Sequence, residues 1–177
     1  MDADRELERR GRAFRRAGYA VARLNQGRPL RLITLSDAEP ADEGPGERVM
    51  VDLGGGARHR LEMELLARWA GLLSEGRACR GEVAPPGGWS AAAAPLAPMG
   101  RRVTRSEDEN EAYLEWLRRR ALGLLDLPGL WAGVEAVGET LLKDGSVDER
   151  QVGALVAGAQ PPRRRPRWLQ GFYHDVR

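Results

Sequence analysis

Apolar residues recur at helical spacing in four long stretches, and this pattern restricts the chain to packed amphipathic helices. Ala13, Phe14, Ala17, Val21 and Leu24 mark the first stretch, from Ala3 to about Asn25, while Arg9, Arg12, Arg16 and Arg23 lie mostly elsewhere around the same helix. Leu61, Leu65, Trp69, Leu72 and Leu73 mark a second, predicted to end near Glu75-Gly76. Tyr113, Leu114, Leu117, Ala121, Leu124 and Leu125 mark a third, and Leu130, Val134, Val137 and Leu141 a fourth. These stripes are candidate core.

The punctuation agrees with the spacing. Ser106 followed by Glu109 predicts a capping box at the start of the third helix. Ser146 followed by Glu149 predicts another, opening a short helix through about Ala157. Pro128 suits the first turn of the fourth helix. Gly27 and Pro29 stop the first helix, after which Leu30 to Leu35 alternates like a half-buried strand and Arg48 to Leu53 supplies a second strand. The intervening Ser36 to Gly46, rich in Asp, Glu, Pro and Gly, reads as the loop of an antiparallel hairpin near residues 30–53. Four prolines between Arg80 and Gly100 leave room only for a short helix around Trp89 to Ala94. The expected fold class is therefore mainly α (α+β), with a small β-hairpin after the first long helix.

With 177 residues, the chain suits a single domain over residues 1–158. Residues 159–177 form a separate Pro/Arg-rich arm, in which Arg163, Arg164, Arg165 and Arg167 stand beside Trp168. Lys143 is the single lysine, and the bias to arginine, with abundant Ala and Gly, has a ready explanation in GC-rich coding. Arginine placement rather than number must carry any binding argument. No run of about 18 apolar residues occurs and the N-terminus lacks a signal-type apolar core, which predicts a cytoplasmic protein with no membrane partner.

Chemistry is constrained by scarcity. His59 and His174 are the only imidazoles and Cys79 the only thiol. A hydrolytic zinc site usually draws three protein ligands from His, Cys and carboxylates, and no His-x-x-x-His pair exists here. No calcium-type loop is present, and Gly54-Gly55-Gly56 lacks the Lys-Ser/Thr of a phosphate-binding loop, so it reads as a turn into the second helix. No cofactor and no metal are expected. Glu107, Asp108 and Glu109 read as acidic residues favouring a helix N-terminus rather than as a catalytic set.

The order of these elements resembles the peptidase domain of the FtsH-type zinc metallopeptidases, in particular small stand-alone bacterial relatives, over about Arg12 to Ala157. The stretch from Ala13 through Val21, followed by Gly27-Arg28-Pro29, is similar to the family's A-x-H-E-A-G-H-A-V helix running into G-R-P. Trp69-Ala70-Gly71-Leu72-Leu73-Ser74-Glu75 is similar to its L-A-G-P-x-A-E segment, and Gly87-Gly88-Trp89-Ser90 falls where the family has glycines before its third-ligand helix. The helices after Tyr113 resemble its C-terminal bundle. Aligned on these matches, Arg15, Arg16 and Tyr19 replace the two zinc-binding His and the catalytic Glu, and Ser90 or Ala91 falls at the third ligand. A guanidinium offers no lone pair to a metal.

The resemblance with its motif degenerated implies a pseudoenzyme: a peptidase-like protein without catalysis that binds a protein or peptide partner. That partner is a peptide, an active homologous peptidase or a second copy of the chain, and Arg15 and Arg16 are candidates for contacting a carboxylate. The alternative is nucleic-acid binding through the arm, with Arg163, Arg164, Arg165 and Arg167 on phosphates and Trp168 stacking on bases.

Overall fold

A computed structural model gives the structure of the protein and describes residues 2–35, 55–81 and 88–159. Its elements run α1 (Asp2–Asn25), β1 (Ile33–Thr34), α2 (Gly55–Arg80), α3 (Gly88–Ala93), a 3-10 turn (Ala94–Leu96), α4 (Ala97–Gly100), α5 (Glu107–Leu125), α6 (Leu130–Asp144), β2 (Ser146–Val147) and α7 (Glu149–Ala159). The architecture is mainly helical, as the periodicity predicts, with one two-stranded antiparallel sheet. Among the described residues no single helix is long and apolar enough to cross a membrane.

α1 and α2 form the centre of the fold, α6 packs on α1, α5 packs on α2, and α7 lies on α6. The striped residues close one continuous core, in which Phe14, Leu65, Trp69, Leu117, Val134, Val137 and Leu141 are all essentially inaccessible. Burial of each such side chain contributes roughly 1.5–3 kcal/mol. The α1–α2 seam is close because it is lined with small residues. A Cβ added to Gly18 would lie 2.2 Å from Ser74 Oγ and 2.6 Å from the Ala70 carbonyl oxygen, and one added to Gly71 would lie 2.7 Å from the Arg15 carbonyl oxygen.

Both long helices end on glycines with positive φ. At the end of α1, Gly27 (φ 66°) donates to the Leu24 carbonyl at 2.9 Å, and Arg28 donates to that of Arg23 at 3.0 Å, the paired bonds of a Schellman motif. α2 does not stop at Glu75-Gly76 as predicted; it continues to Arg80, and Gly81 (φ 62°) closes it by donating to Arg77 O at 3.2 Å. Gly76 is buried inside the helix, so packing along α2 outweighs the local preference of glycine to end it.

The β-pairing departs from the predicted hairpin. β1 pairs with β2 from the far end of the fold, Ile33 opposite Val147 and Thr34 opposite Ser146, and Leu35 donates to Gly145 O at 2.7 Å. The predicted second strand, Arg48 to Leu53, lies outside the described residues, as does the arm from residue 160 onward.

The cap at Ser106 forms as expected: its hydroxyl accepts from the Glu109 N–H at 3.1 Å, and Glu109 reaches back to the Arg105 N–H at 2.7 Å. The cap predicted at Ser146 moves two residues. Ser146 is held in β2, and Asp148 and Gln151 make the reciprocal bonds instead, each at 2.8 Å. Glu149 is thereby released to accept from the Leu30 N–H at 2.9 Å, tying the segment after α1 to α7. Pro128 is not in the first turn of α6; it precedes the cap residue Gly129. In the proline-rich stretch, helical turns continue past Ala94 to Gly100, because Pro95 and Pro98 fall at starting positions, where no N–H is required.

Candidate functional site

Two polar centres lie along α2. The first is built on Glu64, which is 7% exposed. Its periodic neighbours Leu61 and Leu65 turn that part of α2 toward the core, so the carboxylate has to be satisfied by groups brought to it. Tyr19 donates its hydroxyl to Glu64 Oε1 at 2.9 Å, and Arg68, one turn along, donates to the same oxygen at 3.1 Å. Arg23 approaches Oε2 at 3.4 Å and also donates to the Tyr19 hydroxyl at 2.8 Å. Arg28, placed by the turn after α1, lies 3.6 Å from Oε2. Three guanidinium groups thus converge on one carboxylate. Burial first, and the Glu64 charge second, push the Tyr19 phenol above its ordinary value, which keeps it protonated and able to donate.

Arg15 sits one turn before Tyr19 and forms a 2.6 Å ion pair with Glu75 of α2. Arg16 is half-buried on the same helix. Arg15 and Tyr19, two of the positions that the resemblance would assign to zinc ligands, therefore link α1 to α2. They do not fit a zinc ion: the guanidinium is a donor only, the phenol is protonated, and no hydrogen bond joins either residue to Ser90. Among the described residues, no group of three His, Cys, Asp or Glu side chains could hold a metal ion. His59 is exposed on α2, and Cys79 is half-buried, with its thiol pushed up first by burial and then by Glu75.

The second centre contains Ser90. It is a cavity of about 440 Å³ between α2, the α3–α4 turns and α5, lined by Trp69, Trp89, Ser90, Asn110 and Leu114, with Glu107, Glu111 and Glu115 in its wall. The four-residue spacing of the carboxylates puts them on one side of α5. Trp69 and Trp89 meet edge to face with ring centroids 6.3 Å apart. Asn110, 2% exposed, donates to Ala97 O at 3.2 Å, and its Oδ1 occupies the space a Cβ on Gly100 would fill.

Arginines neutralise two of the carboxylates. Arg101 pairs with Glu107 at 2.5 Å. Arg118 grips Glu115 through two bonds of 2.7 and 2.9 Å, Arg119 adds a third at 2.8 Å, and the Glu115 carboxyl is held down at about 2, chiefly by the Arg118 hydrogen bond. Arg118 also lies over the Trp89 ring, 5.4 Å from its centroid. Glu111 makes no ion pair among the described residues.

Family models, curated proteins and solved structures give no match to this chain.

The sequence placed Ser90 and Trp89 near each other, but Trp69 reads there as core and as the start of the stretch similar to L-A-G-P-x-A-E, and Glu64 and Glu111 are not singled out. The i,i+4 pair Glu64–Arg68 and the series Glu107–Glu111–Glu115 were the available signals. The basic-arm candidates Arg163, Arg164, Arg165, Arg167 and Trp168 lie outside the described residues.

Proposed function

We propose that the chain is a catalytically inactive, peptidase-like protein that binds a protein or peptide segment. The observation that carries this reading is the use of Arg15 and Tyr19, at the positions the resemblance assigns to zinc, in ties from α1 to α2. The residues that would run hydrolysis in the family are replaced by residues that hold the scaffold, while a cavity containing the third-ligand position, Ser90, stays open. A cleft with tryptophan walls and a few polar groups suits ligand binding without requiring any chemistry.

The test is made on the purified full-length chain: elemental analysis for zinc, hydrolysis of an unfolded protein with and without added zinc, and binding to an immobilised peptide array. The reading expects no stoichiometric zinc, no chelator-sensitive hydrolysis, and saturable capture of a subset of peptides. One zinc per chain with chelator-sensitive proteolysis would overturn it, as would the absence of binding to any peptide.

A further inference from the structure

We propose that the chain associates with a second copy of itself through an exposed seam on α5, the two helices running antiparallel, with Trp116 of each copy seated over Gly123 of the other. The inference stands apart from the peptide-binding reading, because the seam lies on the side of α5 turned away from the cavity.

Spacing sets the seam. Ala112, Trp116, Gly123 and Leu127 follow one another at intervals of four, seven and four residues, which keeps them within an arc of about 60° on a helix. The helical path carries on past the last turn of α5, where Leu127 donates to Leu124 O at 3.1 Å. All four positions are exposed. Trp116 and Leu127, at 46% and 48%, are two of the four large apolar side chains left exposed among the described residues. Leu114, Leu117, Ala121 and Leu125, which face the core, lie on the other side of the helix.

Shape identifies the occupant. In an antiparallel pair centred between Arg119 and Arg120, positions equally far on either side of the centre face each other. Trp116 then meets Gly123 of the second copy, and Ala112 meets its Leu127, so each large side chain is matched to a small one. A Cβ built on Gly123 has no neighbour within 4 Å, and the notch is open. A parallel pair would set tryptophan on tryptophan and glycine on glycine, a clash beside a void. Agreement at both places within one sequence is the condition for a contact between identical surfaces.

The centre of the seam carries compensated charge. Arg119 donates to Glu115 at 2.8 Å, and Arg120 is paired with Glu62 of α2. The arginines nearest the axis therefore bring their own counter-ions, and neither an acidic nor a basic partner is selected. Trp116 is also held in place beforehand. It stacks on Tyr113 with ring centroids 5.9 Å apart, and the Arg120 guanidinium lies 4.6 Å from its ring centroid. A ring already fixed loses little freedom on docking.

The seam spans about four helical turns, a small interface, so a dissociation constant on the order of 10 μM is expected. Sedimentation velocity of the full-length chain, from about tenfold below to about thirtyfold above that value, reads the dimer directly. Trp116→Ala and Gly123→Trp are each expected to weaken association about tenfold or more, the first by removing the large partner and the second by filling the notch. The decisive sample is their equimolar mixture. There the shortened side chain at position 116 of one chain faces the tryptophan introduced at position 123 of the other, while an intact Gly123 still receives an intact Trp116, and wild-type association should return. Both positions are exposed, so circular dichroism should be unchanged. The Gly123→Trp urea midpoint, measured below the dissociation constant, should be at or above that of wild type, since glycine is the poorer helix former. Gly158→Trp on α7, at an equally open position, should associate as wild type does.

A wild-type chain that stays monomeric through the range overturns the inference. So does a dimer that neither variant weakens, or a mixture that associates no better than its components. Saturable peptide capture by a monomeric chain would keep the proposed function and remove only the dimer.

Discussion

The Glu64 centre and the Glu111 cavity lie on the same side-chain inventory and reach opposite outcomes. Around Glu64 three arginines and a tyrosine converge on a single carboxylate that is almost fully buried. Around the cavity three carboxylates line one side of α5; arginines pair with Glu107 and Glu115, and among the described residues Glu111 makes no ion pair. The first arrangement is closed: its contacts cross from α1 to α2 and fix how those helices meet. The second is open: its polar groups border space. Charged residues therefore do two jobs here. An excess of cation about a buried acid serves architecture, and the acid beside the aromatic wall keeps its access to solvent.

This contrast is most exposed to failure at Glu64. Replacing it with alanine takes the shared carboxylate from three guanidinium groups and the Tyr19 hydroxyl, and we expect a loss of about 3 kcal/mol in urea unfolding, the lower end for a broken buried pair because the arginines keep other partners and some access to water. A change under about 0.5 kcal/mol would make the centre a surface ornament. Tyr19→Phe removes one hydroxyl bridging Glu64 and Arg23 and should cost about 1 kcal/mol in the same measurement. Glu111→Gln should leave stability within about 0.5 kcal/mol of wild type, because the side chain is exposed; a large loss of stability would move Glu111 to the architectural side.

The smallest expected effect concerns acid. The Glu115 carboxyl is lowered from 4.5 to about 2 in the folded protein, so it contributes stability that is fully present above its unfolded value and is lost as pH falls from about 4.5 towards 2. Glu115→Gln should flatten the unfolding free energy over that window and leave it unchanged in slope near neutrality. The carboxylate is more than a third exposed, so solvent screening keeps the effect modest.

Helix placement was legible because it rests on spacing alone: every stripe from Ala13 to Leu141 is in a helix and faces the core. Choices between equivalent local signals were not legible. Gly76 and Gly81 are both plausible stops, and only burial of Gly76 decides between them. Ser146 and Asp148 are both competent caps, and pairing of Ser146 with Thr34, more than a hundred residues earlier, hands the role to Asp148. The polar centres share this limit. Arg23, Arg28 and Tyr19 reach Glu64 from another helix and its following turn, and no periodicity within α2 announces them. Trp69 satisfies a core stripe and a cavity wall at once, so its helical spacing reveals only the first.

The central claim is that Tyr19, at a position the resemblance assigns to a zinc ligand, holds α1 to α2 through Glu64. A double-mutant cycle in urea unfolding over wild type, Tyr19→Phe, Glu64→Ala and the double variant measures that tie directly. A coupling of at least about 0.5 kcal/mol, with the double variant less destabilised than the sum of the singles, is the predicted result. Additive losses would contradict it and return Tyr19 to a side chain that merely fills space.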